Sequence, residues 1–163
     1  MHHSNLAARW AAKWVRVPTV ALLALTSALF TLVVSAAALL IPVDPADEAL
    51  QALGSVSAGF FIAVASAVAV AEALVWTIGF IEIGEKAVGS AAGGAIAGML
   101  GYSLVFHWST GWSSVVTTML LASVLNLSYL VLRTRSRLVG VASTVVHKVA
   151  FVVAVAACSS FAA

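Results

Sequence analysis

At 163 residues, with 63% hydrophobic and 9% charged residues and a mean hydropathy of +1.11, the chain lies far outside the composition of a water-soluble globular domain. A formal charge of +2 is too small to suggest nucleic acid as a partner. The lone cysteine, Cys158, excludes an intrachain disulfide and any multi-cysteine metal site.

Each helical crossing of a hydrocarbon layer takes roughly 20 residues, so the composition predicts an all-α, polytopic membrane bundle. It forms a single transmembrane domain over residues 1–163 with about five spans, four being the alternative, and the lipid bilayer is its first partner. Orientation follows from the basic residues. Arg9, Lys13, Arg16, Lys86, Arg133, Arg135 and Arg137 all flank apolar runs on one side, Lys148 is the exception, and residues 43–53 and 106–112 carry no Lys or Arg. The positive-inside bias then makes the N-terminus cytoplasmic, and a bacterial inner membrane is the expected location.

Residues 1–17 read as an interfacial amphipathic lead-in, because Arg9, Lys13 and Arg16 share one helical face beside Trp10 and Trp14. The first span, 18–40, has an apolar core too long for the roughly 7–15-residue h-region of a signal peptide. The acidic loop after it, with Asp44, Asp47 and Glu48, belongs outside. The second span, 55–81, contains Glu72 and ends at a charged cytoplasmic edge, Glu82, Glu85 and Lys86. The third, 87–105, is dense in glycine: Gly94 and Gly98 form a GxxxG, and Gly89, Gly93 and Gly101 add small positions for close helix packing.

Trp108 and Trp112 mark an outer aromatic belt. The fourth span, 113–132, carries Asn126 and stops at Arg133, Arg135 and Arg137, the strongest inside signal. The fifth, 138–161, has His147 and Lys148 near its middle. A four-span version would lay residues 138–148 on the cytoplasmic surface and leave a remainder too short to cross.

Glu72 lies ten positions from Glu82, and Lys148 eleven from Arg137; at about 1.5 Å per residue both sit roughly 15 Å from the cytoplasmic edge. An isolated charge at that depth costs about 2.5–3.5 kcal/mol or more. Glu72 and Lys148 are therefore expected to face one another, within one chain or between subunits. A carboxylate in such surroundings also has the chemistry of a proton or cation site. Asn126 is expected to serve as interhelical glue, and Gly79, near the Glu72 face, to admit a neighbouring helix or act as a hinge. His107 and His147 lie at different depths and cannot share a metal in one subunit.

No HExxH, GxSxG, Walker loop or paired-cysteine motif occurs. The expected function is that of a small membrane scaffold or accessory subunit without catalytic activity, cofactor or metal, assembling with itself or with other membrane subunits. The alternative is an oligomeric ion- or proton-conducting pore or carrier using Glu72, in a transport or antiphage defence system. A lipid-modifying enzyme ranks third, since only Glu82, Glu85 and the basic triplet could serve it.

Overall fold

The computed structural model describes residues 17–40 and 58–160. Residues 1–16 of the lead-in, the acidic loop 43–53 and the end of the fifth span lie outside them. The described chain is helical: α1 (Thr19–Leu40), α2 (Ala58–Glu72), a π-helical segment (Ala73–Gly79), α3 (Phe80–Val88), α4 (Ala91–His107), a 3-10 turn (Trp108–Thr110), α5 (Trp112–Leu132) and α6 (Arg137–Ser160). No strand occurs among the described residues. In hydrocarbon a helix meets its backbone hydrogen-bonding needs within itself, which suits this composition to no other open structure.

α2, the π segment and α3 continue without a break, giving five rods. Four of them are long and apolar enough to cross a membrane: α1, the 58–88 rod, α5 and α6. The shorter fifth is α4, with 17 residues, about 25 Å by helical rise. The doubtful crossing is thus not the last one; α6 runs for 24 residues through His147 and Lys148 without interruption.

Two boundaries differ from expectation. The second span does not stop at Ile81, because Glu82, Glu85 and Lys86 are good helix formers that carry the rod to Val88. It stops at Gly89, whose φ of 68° is left-handed and favours glycine. The N–H groups of Gly89 and Ser90 both turn back to the Gly84 carbonyl. Ser90 then caps α4, its Oγ accepting from the Gly93 N–H at 2.9 Å. Gly89 and Gly93 accordingly belong to the turn and not to the packing face assigned to them. A Cβ on Gly89 would meet nothing within 4 Å, and one on Gly93 only the Ser90 side chain.

Gly94, Gly98 and Gly101 do pack, against the 58–88 rod. A Cβ on Gly94 would run into the Phe80 carbonyl, one on Gly98 into the Trp76 carbonyl, and one on Gly101 would lie 2.7 Å from the Trp76 ring. The partner glycine is Gly84, where a Cβ would sit 2.6 Å from the Gly94 Cα. Gly79 does not admit another helix; a Cβ there meets the Leu74 carbonyl of its own rod.

α5 is the central helix. Half of its span is buried, against 17% of the spans in α1 and α6. Phe30, Leu121, Val124 and Leu125 form one apolar cluster between α1 and α5, with Phe151 of α6 against it; Ile81, Ala95 and Tyr129 form another joining α3, α4 and α5. Arg135, between α5 and α6, donates to the Val17 carbonyl at 2.7 Å, tying the start of α1 to the same end.

Close backbone contact makes a definite prediction. Gly94→Ala and Gly98→Ala each lower the stability of the detergent-solubilised protein by about 1–3 kcal/mol, the usual cost of overpacking. Gly59→Ala, where a Cβ meets nothing within 4 Å, leaves it unchanged or slightly raised. Thermal unfolding followed by size-exclusion chromatography measures all three.

Candidate functional site

The last residue of α2, Glu72, points at α4 and α6. Its Oε2 accepts from the Tyr102 hydroxyl at 2.9 Å and lies 3.1 Å from the Lys148 Nζ. The ammonium also donates to the Tyr102 oxygen at 3.0 Å, so three side chains from three helices close a ring. Lys148 stands 4.3 Å from the centre of the Tyr102 ring as well, a cation–π distance. Glu72 and Lys148, matched by depth in the sequence, are brought together within a single chain.

The space around this ring is small. A cavity of about 10 Å³, lined by Glu72, Tyr102, Lys148, Trp76 and Thr77 with apolar neighbours, is near the lower limit for one water molecule. Trp76 stacks on Phe80 at 5.1 Å and meets Phe106 edge-on at 5.6 Å, so aromatic rings cover one side.

A second cluster repeats the chemistry at the basic end. Glu82 Oε1 accepts from the Tyr129 hydroxyl at 2.8 Å and from Arg133 at 3.1 Å; Arg133 also binds Glu85 at 2.7 Å, and Arg137 lies 3.4 Å from Glu82. Arg133 lies 5.8 Å from the Tyr129 ring centre. Burial works against the Arg133 charge, but its hydrogen bonds to Glu85 and Glu82 outweigh that and raise its pKa above the ordinary arginine value. In both clusters an acid of the 58–88 rod receives a tyrosine hydroxyl and a cation, and the cation lies near the tyrosine ring. Lys86 is exposed and Arg137 largely so.

The remaining polar candidates act singly. Asn126 is buried and its amide donates to the Ala95 carbonyl at 2.9 Å, stapling α5 to α4. His147 Nδ1 lies 2.7 Å from the Ser143 carbonyl, and Nε2 lies 2.9 Å from the Ser27 hydroxyl. A proton on Nδ1 leaves Nε2 to accept from Ser27, which joins α6 to α1. His147 therefore faces away from the Lys148 ring. Among the described residues no group of three or more His, Cys, Asp or Glu side chains converges as a metal site requires.

The sequence reading missed both tyrosines. The chain contains only two, Tyr102 and Tyr129, and each falls in an apolar span where its hydroxyl must find a partner; that scarcity was the available signal. Comparison of the chain with protein families, with curated proteins and with solved structures finds no match.

Removing the hydroxyl tests the ring. Tyr102→Phe strips hydrogen bonds from two charged groups and costs about 1.5–3 kcal/mol. Tyr129→Phe costs less, because Glu82 keeps Arg133 and Arg137. Reversible unfolding of each variant in mixed micelles gives the comparison.

Proposed function

We propose that this chain is a small integral-membrane scaffold or accessory subunit that assembles with copies of itself or with other membrane proteins. The observation that carries the reading is the closure of the intramembrane charges on one another. Glu72 and Lys148 are matched one to one and bridged by Tyr102, and the space beside them has room for about one water. A conducting path needs groups that exchange partners along a wet route; a ring already satisfied instead fixes the depth and rotation of three helices. Such rigidity is what a structural subunit contributes to a larger assembly.

The placement of charge supports a cytoplasmic-membrane orientation with the basic end inward. Arg133, Arg135, Arg137, Lys86 and the start of α1 share one end, whereas Trp108 and Trp112 lie beyond the opposite end of α4. α1 and α6 bury only 17% of their spans within this chain, which leaves area for neighbouring subunits as well as lipid.

The competing reading is a proton- or ion-conducting oligomer built on Glu72. Liposome flux separates the two. The scaffold reading expects no proton or cation flux from wild type or Glu72→Gln, together with a defined nanodisc particle mass that the variant lowers by loss of partners. Flux by wild type that Glu72→Gln abolishes at unchanged mass would replace it with the pore reading.

A further inference from the structure

Ala69, Ala73, Thr77 and Ile81 are the buried positions along the middle of the 58–88 rod, each 5% exposed or less. They recur every fourth residue. In an α-helix, at 100° per residue, a stripe of that spacing drifts by roughly 120° between its first and last members. It would spiral away from α4 and α5 before reaching Ile81. If one residue is absorbed in a wider turn, the same stripe drifts by only about 20°, and the π segment is such a turn. The Phe80 N–H is shared between the Thr77 carbonyl and that of Val75, five residues earlier, and the segment spans Ala73–Gly79. The rod thus stores one residue more than an α-helix of its length accommodates.

Both ends of the stored residue are pinned. Glu72, the position before the π segment, is held by Tyr102 and Lys148. Beyond it, Glu82 and Glu85 are held by Tyr129, Arg133 and Arg137, and Gly84 lies against Gly94. The C-terminal clamp has several polar members, whereas the N-terminal one has a single polar member, Glu72, beside the packing of α2 on α6. α2 itself has one buried position among those described, Ala69.

We propose that the π segment is a register device latched by Glu72: release of the Glu72 ring lets the wide turn pass toward α2, rotating the stretch between Glu72 and Gly79 while α3 stays clamped to α4 and α5. The same movement carries Trp76 off Gly101 and opens the cavity beside Tyr102. The idea concerns the rod alone and holds whichever assembly the bundle joins.

Deleting the stored residue is the test, with hydrogen–deuterium exchange in nanodiscs as readout. Val75 is an exposed residue inside the π segment, and Val68 is an equally exposed residue in regular α2. Removing Val75 converts the wide turn to α-helix and leaves both flanks in phase, so the protein stays folded and monodisperse. Removing Val68 turns the preceding helix by about 100° and lowers thermal stability more. Glu72→Gln in the full-length chain raises exchange in peptides covering 66–79 several-fold with little change in 80–88. In the Val75 deletion the same substitution leaves exchange in 66–79 nearly unchanged, since no residue remains to move. The proposal is overturned if the Val75 deletion is no better tolerated than the Val68 deletion, including the case where neither folds. It is equally overturned if Glu72→Gln raises exchange as much with the deletion as without it.

Discussion

A carboxylate and an ammonium in hydrocarbon can be kept only if they meet, and they can meet only at one depth. Glu72 on α2 and Lys148 on α6 satisfy that condition, and Tyr102 on α4 ties them with a hydroxyl that donates to one and accepts from the other. Three helices far apart in sequence are thereby fixed in height and rotation. Replacing such a pair with apolar residues need not cost stability, whereas leaving one member alone costs several kcal/mol. The ring is therefore better regarded as a device that selects one arrangement of helices than as a source of net stability.

Lipid supplies little force to pull apolar helices together, so approach distance matters more than apolar content. Gly84, Gly94 and Gly98 bring the 58–88 rod and α4 into backbone contact. At that separation α3 has little freedom to rotate, and while the Glu72 ring is closed the wide turn keeps Ala69 and Ile81 on one stripe. Charge pairing, glycine contact and the π segment are consequently linked: each acid needs its partner on a particular face, and the wide turn decides which face each acid occupies.

The all-helical, multi-span architecture was legible because composition acts over whole spans. The depth match of Glu72 and Lys148 was legible because helical rise is constant. What escaped depended on local chemistry or on neighbours. The second span was expected to end before Glu82 since charge usually marks a membrane edge, but the helix continues through Glu82, Glu85 and Lys86 to Val88. Gly89 and Gly94 are the same residue type five positions apart; one is a left-handed cap and the other a packing surface, and only the turn at Ser90 distinguishes them. The four-residue spacing from Ala69 to Ile81 was visible but means little until burial reveals it as a single stripe. Tyr102 and Tyr129 passed as apolar residues because a hydroxyl shows its partner only when the helices are placed.

A bundle that resolves its own charges internally offers its outer surfaces to lipid and to other proteins, which is the basis for regarding it as a structural subunit. That view depends on the Glu72–Lys148 pair being a matched set whose sign can be exchanged. The most direct measurement is the thermal stability, in nanodiscs, of Glu72→Lys, Lys148→Glu and the two combined. The account predicts that each single reversal, which puts two like charges at one depth, abolishes the folded particle or sharply lowers its melting temperature, and that the double reversal recovers most of the loss. A double variant no more stable than the worse single one would contradict it.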